Sequence, residues 1–184
     1  INDGFAINTT TNTYQNNTSG IGKNYYVGRM LVAEIEKQAY GTTVKAKQEY
    51  TYSNNLVSSS KAWNRDNSGW IQEAVQYDAF GNVIQKSITN NVGHSKIEKA
   101  EYDAKGRFVI KKTDNLGLVT QISYNNWGQV LTQTDPLNSI LTNEYDAWGK
   151  LLRSKSNLTG YTTYRYEKDA NFNSSITTFL ADGN

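Results

Sequence analysis

A short phrase recurs along this chain: QYDAFGNV from Gln76, EYDAKGRF from Glu101, SYNNWGQV from Ser123 and EYDAWGKL from Glu144. Each copy sets Tyr, then Asp or Asn, two variable residues, Gly, and a return to apolar residues. A second piece sits between copies, Thr113-Asp114-Asn115-Leu116-Gly117 and Thr134-Asp135-Pro136-Leu137-Asn138. Internal repetition of this kind constrains a fold more than any single segment does, because each unit must bury its surface against its neighbours. The phrase tyrosines fall at 77, 102, 124, 145 and 166, so the spacing settles to 21 residues. Tyr52 and Tyr26 extend the series backwards at wider spacings.

The recurring Asp-x-x-Gly has a local physical reading. Asp or Asn at the head of a turn accepts hydrogen bonds from backbone N–H groups ahead of it, and the last position takes a positive φ that Gly tolerates. Asp78 to Gly81, Asp103 to Gly106, Asp114 to Gly117, Asn125 to Gly128 and Asp146 to Gly149 all have this form, as does Asn157 to Gly160. Asp135-Pro136-Leu137-Asn138 is the informative variant. The only proline lands at the second position, where its fixed φ is wanted, and Asn138 replaces Gly. Turns of this type connect antiparallel hairpins. Thr120, Ile122 and Tyr124 share one strand face, as do Thr162, Tyr164 and Tyr166. Adjacent apolar pairs, Val130-Leu131 and Leu151-Leu152, interrupt the alternation and predict that both faces meet something in places. The fold class is therefore all-β, built of repeated antiparallel β-hairpins.

Composition agrees. Thirteen Tyr with abundant Thr, Asn and Gly suit pleated surfaces and turns. A formal charge of +2 gives no reason to expect nucleic acid or an anionic membrane, and no apolar run is long enough to span a bilayer. Cysteine is absent, which excludes disulfides and thiol chemistry. The chain opens at Ile1, with neither Met nor a signal peptide, and reads as a mature or excised fragment.

Four regions follow. Residues 1–24 form a polar, loosely held segment with a strand near Phe5 to Ile7; 25–76 hold divergent repeats; 77–166 hold regular ones; 167–184 form a tail or the start of the next repeat. Within 25–76, Leu31 to Lys37 contains good helix formers. Gly41 and Thr42-Thr43-Val44 favour two strands instead. The sequons at Asn8, Asn17 and Asn157 are expected by chance in so Asn- and Thr-rich a chain.

These residues resemble the YD repeat of the RHS family, which includes bacterial RHS polymorphic toxins, the shell proteins of insecticidal toxin complexes, and teneurins. Tyr102 to Phe108 and Tyr145 to Leu151 match the family phrase closely. Tyr77 to Val83 fits, and Tyr124 to Val130 has Asn125 for the Asp. The resemblance implies a strip of hairpins wound into a spiral that closes a hollow shell around an effector, or that serves adhesion. It further implies a larger RHS-type chain or a secretion or assembly partner holding this piece, and a secreted or cell-surface, bacterial location. Asp135-Pro136 is similar to the Asp-Pro of the self-cleaving site in many RHS cores. It sits mid-repeat, and it reads as a turn.

No catalytic constellation is visible. His94 is the only histidine, and nothing is spaced to form a triad with it. Each turn offers one carboxylate at most, too few for a Ca²⁺ loop, so no metal or cofactor is expected. The Asp and Gly of the turns serve geometry. For binding, the best candidates are Phe80, Trp127 and Trp148 at the third turn position, able to stack on a surface glycan or a protein unless each covers its neighbouring hairpin. Lys111, Lys112, Lys150, Arg153 and Lys155 read as solvated strand faces. Three roles follow in order: a non-catalytic shell wall enclosing or presenting another domain, an adhesion module, and a glycan-acting or toxin enzyme.

Overall fold

A computed structural model describes residues 6–172 and 174–181. The chain divides into two compact units, Ile1–Glu98 and Lys99–Asn184. The first holds β1 (Ile7–Asn17), β2 (Tyr26–Ala39), β3 (Thr42–Ser53), β4 (Leu56–Trp63), β5 (Trp70–Tyr77) and β6 (Val83–Asn90), with one 3₁₀ turn at Gly22–Asn24. Strand β7 (Ser95–Tyr102) straddles the division. The second unit continues with β8 (Val109–Thr113), β9 (Val119–Tyr124), β10 (Val130–Thr134), β11 (Ile140–Tyr145), β12 (Leu151–Ser156), β13 (Gly160–Lys168) and β14 (Ser174–Ala181). Within each unit every strand pairs antiparallel with the next in sequence. The fold is all-β and made of repeated hairpins.

Leu31 to Lys37 lies in β2, despite its helix formers. Pairing decides this: Lys45 Nζ on β3 sits 2.9 Å from Glu36 Oε2 and 3.8 Å from Glu34 Oε1, ion pairs that need the two strands side by side. The hairpin closes through Tyr40 and Gly41, both with positive φ (50° and 74°), as a two-residue connection between twisted strands requires.

The polar N-terminal segment also contains a strand. Of the strand expected near Phe5 to Ile7, Phe5 lies outside the described residues, while Ile7 opens β1. That strand pairs with β2 from Ile7↔Gln38 to Asn17↔Tyr26 and is exposed along most of its length. Backbone pairing with a long neighbour, rather than apolar burial, organises it. At the other end β14 pairs with β13 from Lys168↔Ser174 to Tyr161↔Ala181. The turn between them repeats the phrase geometry where sequence showed none: Phe172 N–H donates to Asp169 O at 3.1 Å and Asn171 N–H to Asp169 Oδ1 at 2.8 Å. Two extra residues, Glu167 and Lys168, separate this Asp from Tyr166, and Phe172 (φ 64°) replaces the glycine, which hid the copy.

The adjacent apolar pairs have one cause. At each return strand the register shifts, so that Val83-Ile84, Val109-Ile110, Val130-Leu131 and Leu151-Leu152 stand opposite a single tyrosine: Tyr77, Tyr102, Tyr124 and Tyr145. These are β-bulges, which put two consecutive residues on the tyrosine's side of the sheet. The alternation is locally reset rather than imperfect, and the pairs do not require both faces to be covered.

In the second unit the register places Tyr102, Tyr124, Tyr145, Tyr164 and Tyr166 on one face with Ile122 and Leu141. Lys99, Glu101, Lys111, Gln121, Glu144, Arg153 and Lys155 lie on the other. No hydrophobic side chain among the described residues is fully buried. Each unit is a sheet with two accessible faces and no enclosed core.

Turn glycines differ in what surrounds them, which gives a direct check. Gly117 and Gly128 share a left-handed φ (81° and 83°). A Cβ at Gly117 would meet nothing within 4 Å, whereas at Gly128 it would lie 2.7 Å from the Phe108 ring. Gly117→Ala should cost about 1–2 kcal/mol for the backbone alone, and Gly128→Ala about 1 kcal/mol more as the ring is displaced. Equal urea midpoints for the two variants would refute the packing.

Candidate binding surface

The turns set where exposed side chains can stand. At Asp78, Oδ1 accepts N–H groups from Phe80 (2.8 Å) and Asn82 (2.9 Å), while Gly81 N–H donates to the Asp78 carbonyl (3.2 Å). Asp114 does the same for Leu116 and Leu118, Asn125 for Trp127 and Gln129, Asp135 for Leu137 and Ser139, and Asp146 for Trp148 and Lys150. Asp103 caps Arg107 and Phe108 N–H and pairs with the Arg107 guanidinium at 3.1 Å. Asn138 takes φ 61° in place of glycine.

The donors set the ionisation of these carboxyls. For Asp103 the Arg107 N–H, then that of Phe108 and the Arg107 side chain, hold the pKa below the ordinary carboxylate range against partial desolvation. For Asp78 desolvation is the largest single influence and acts upward. The combined Asn82, Phe80 and Gly81 donors outweigh it and the net shift is downward.

One head was framed one residue off. Ser156, not Asn157, heads its turn: Leu158 N–H donates to Ser156 Oγ at 3.1 Å. Asn157 instead clamps the neighbouring strand, accepting Ile140 N–H on Oδ1 (2.7 Å) and donating its own N–H to Ile140 O (3.1 Å). Asn91 repeats this clamp on Trp70, with both bonds at 3.2 Å. Asn90 heads the turn before it, and its Oδ1 accepts His94 N–H at 2.9 Å, so the only histidine belongs to a turn. The signal was an Asn following the head, which the four-residue template overlooked.

Four tyrosines of the series act as cross-strand staples. Tyr77, Tyr145 and Tyr166 donate their hydroxyls to the carbonyls of Val57 (2.8 Å), Val130 (3.0 Å) and Leu151 (3.0 Å), and Tyr52 to Met30 (2.8 Å). Each acceptor lies on the preceding strand; Val130 and Leu151 are bulge residues. Sequence marked these tyrosines as punctuation and gave them no bond.

The three aromatic candidates stand at tips. Trp127 and Trp148 are 80% and 88% exposed, on adjacent tips of one edge of the second unit, tied by Gln129 Nε2–H to Gly149 O at 2.6 Å. Phe80, 66% exposed, belongs to the first unit and borders a groove of about 600 Å³ with Lys23, Asn54, Leu56 and Tyr77. Of the basic residues, Lys111 pairs with Glu101 (2.7 Å), Lys150 lies over the Tyr166 ring (5.2 Å), and Arg153 packs on Tyr161 (4.3 Å) and is half-buried rather than solvated. A second aromatic cluster went unnoticed in the sequence: Lys61 Nζ stands over the cross-strand rings of Trp63 (4.9 Å) and Trp70 (4.3 Å), and Trp63 Nε1–H donates to Glu49 (2.9 Å). Among the described residues no three acidic or histidine side chains converge in a way that could hold a metal ion.

Comparison with known proteins agrees with this geometry. The RHS Repeat family model matches residues 102–140, which begin at the tyrosine of the most complete phrase and run through four turns. The solved structure titled "Crystal Structure of TcdB2-TccC3-TEV" is similar at 15% identity and a TM-score of 0.59, over 94% of this chain and 10% of that one. "Crystal Structure of TcdB2-TccC3-Cdc42" is similar at 11% identity and a TM-score of 0.56, over 82% and 9%. "Crystal Structure of TcdB2-TccC3 without hypervariable C-terminal region" is similar at 12% and 0.56, over 78% and 8%. At such identities the likeness is one of fold. The chain spans about a tenth of the length of these structures. No curated protein matches it.

The staples predict an ordering of variants. Val130 O also accepts Asn143 Nδ2–H at 3.0 Å, so Tyr145→Phe leaves that carbonyl a partner. Tyr166→Phe should therefore cost more, about 1 kcal/mol against a few tenths; a reversed order in chemical denaturation would contradict the assignment.

Acid titration gives a further test. Because the Asp78 and Asp103 pKa values are lowered on folding, the stability they contribute is complete above their unfolded value near 4 and is lost as pH falls through the folded values. Asp103→Asn should show a smaller loss below about pH 4 than the parent chain. An identical acid profile would rule out that contribution.

Proposed function

We propose that this chain, which carries the RHS repeat, is a non-catalytic wall segment of a much longer RHS-type protein that is secreted or displayed at the cell surface. The wall would enclose or present another domain of that protein. One observation carries the reading: hairpin follows hairpin with in-phase turns, yet no hydrophobic side chain among the described residues is fully buried. Repeats in this condition depend on neighbouring units for the burial they lack. The similarity to toxin-complex structures about ten times longer supports a longer chain, and its remainder would be this segment's first partner. The regular use of Asp and Gly for turn geometry supports a structural rather than a catalytic role.

Enclosure is tested with protease on the intact longer protein. The enclosed domain should resist digestion until the wall is opened by mild denaturant. Digestion at the rate of the isolated domain would refute enclosure. Fractionation of the producing cells checks the location: retention of all the protein inside the cell would refute secretion and display.

The exposure of Trp127 and Trp148 favours one second reading, adhesion to a surface glycan or a protein through tip aromatics. Glycan-array binding that survives Trp127→Ala combined with Trp148→Ala would remove that row from consideration.

A further inference from the structure

Chance accounts for the number of Asn-x-Ser/Thr sequons in so Asn- and Thr-rich a chain, but the fold gives the amides of Asn8, Asn17 and Asn157 different surroundings. Attachment of a sugar to Asn needs an uncommitted amide nitrogen on a surface loop, with the hydroxyl two residues on presented beside it. Asn157 fails the first condition. Its Oδ1 accepts the Ile140 N–H at 2.7 Å and its Nδ2–H donates to the Asn138 carbonyl at 3.2 Å, so both ends of the amide are spent. Asn8 fails the second. It lies inside β1, opposite Lys37, where the extended backbone carries Thr10 about 7 Å along the strand.

Asn17 meets both conditions. It is the last residue of β1, and the connection from Thr18 to Tyr25 that follows is exposed except at Gly20. Ser19 Oγ–H donates to Asn17 Oδ1 at 3.2 Å, which sets the two side chains of the sequon together on an exposed bend. That bond uses the oxygen and leaves Nδ2 without a hydrogen-bond partner among the described residues. The nitrogen faces Gly20, where a Cβ would lie 2.9 Å away, so any larger residue there would cover it. Neighbouring Asn16 is committed, its Oδ1 accepting the Gly28 N–H at 2.6 Å, so the free amide of the pair is the one inside the sequon.

A second observation concerns what would lie over this bend. Ile21, Tyr25 and Val27 are 89%, 53% and 62% exposed, and the register Asn17↔Tyr26 sets Tyr25 and Val27 on either side of the residue opposite Asn17. The apolar face of a sugar ring can cover such side chains while its hydroxyls keep the surface wet.

We propose that Asn17 is a glycosylation site, modified by an asparagine-directed transferase that uses a sugar carried on a diphosphate. Asn17 Nδ2 attacks the sugar C1 and the N–C1 bond forms. The C1–O bond to the diphosphate breaks, its electron pair leaving with the phosphate oxygen, and the amide proton passes to a carboxylate of the transferase. The Ser19 hydroxyl is the group the enzyme reads beside the amide. The inference goes beyond the wall reading and does not depend on enclosure, so its failure would leave the protease test of that reading untouched.

Mass spectrometry of the full protein, taken from the cells that make it, is the test. The peptide carrying Asn17 should bear whole sugar residues, assigned to Asn17 by fragmentation that keeps the linkage intact. Asn17→Gln should abolish the modification, and so should Ser19→Ala, which keeps the amide and removes only the hydroxyl. Ser19→Thr and Asn8→Gln should both retain it. One fixed oligosaccharide would identify a lipid-linked donor and a stepwise series a nucleotide-linked one; either upholds the assignment. An unmodified Asn17 peptide, sugar on Asn8 or Asn157 in its place, or full modification of Ser19→Ala would overturn it.

Discussion

The structure depends on one recurring bond, a turn-head side chain accepting the backbone N–H groups two and four residues ahead. At Asp78, Asp114, Asn125, Asp135 and Asp146 the same oxygen holds both N–H groups, and the carbonyl of the head receives the N–H of the fourth residue. That pattern closes the turn without help from distant residues. It explains how a chain with no fully buried hydrophobic side chain among its described residues can still specify strand register. Local hydrogen bonding supplies information that a core supplies in other β proteins. Asn serves as well as Asp because the bond needs an oxygen acceptor more than a charge.

Turns alone would leave independent hairpins, and two features join one hairpin to the next. The bulges that follow the Asn125 and Asp146 turns lie at Val130 and Leu151, and a tyrosine one strand on, Tyr145 or Tyr166, donates its hydroxyl to that carbonyl. The extra residue that makes each of these bulges also sets two apolar residues opposite the tyrosine of the strand before, Tyr124 or Tyr145. One insertion per repeat thus supplies both the acceptor and the apolar surface. Asn91 and Asn157 act at the opposite strand ends, where their backbone N–H and side-chain oxygen complete a bond pair on Trp70 and Ile140.

What could be read from the sequence follows the range of each interaction. The turns were legible because head, proline and glycine lie within four residues and obey local rules. The copy at Asp169 escaped because Phe172 occupies the glycine position and Glu167-Lys168 displace the phrase, though Asp169 still accepts the N–H groups of Asn171 and Phe172. Strand against helix at Leu31 to Lys37 turned on Lys45, whose partners Glu36 and Glu34 lie on the neighbouring strand. The tyrosine staples and asparagine clamps span 15 to 22 residues, and no composition rule names such partners. The exposed tryptophans were found because position in a turn predicts exposure. By the same logic Leu116, Leu137 and Leu158 could have been found, but leucine at an apolar interval is read first as core.

That habit of reading has a physical basis. In a domain with one core, an apolar residue recurring at a fixed interval marks the buried side, and exposed polar residues mark the other. A repeated hairpin strip has four boundaries instead, two faces and two edges, and its turns place a side chain on each edge as regularly as its strands place one on each face. Periodicity in such a chain therefore reports membership of a boundary before it reports burial. Trp127 and Trp148 share one edge with the glycine turns beside the phrase tyrosines, and the three leucines share the other with the turns between phrases. A leucine held at 87% exposure by a proline-containing turn, as Leu137 is, has been placed outward by the backbone itself. Its burial, where it occurs, must come from another chain segment meeting that edge, which makes the edges as informative about assembly as the faces are about folding.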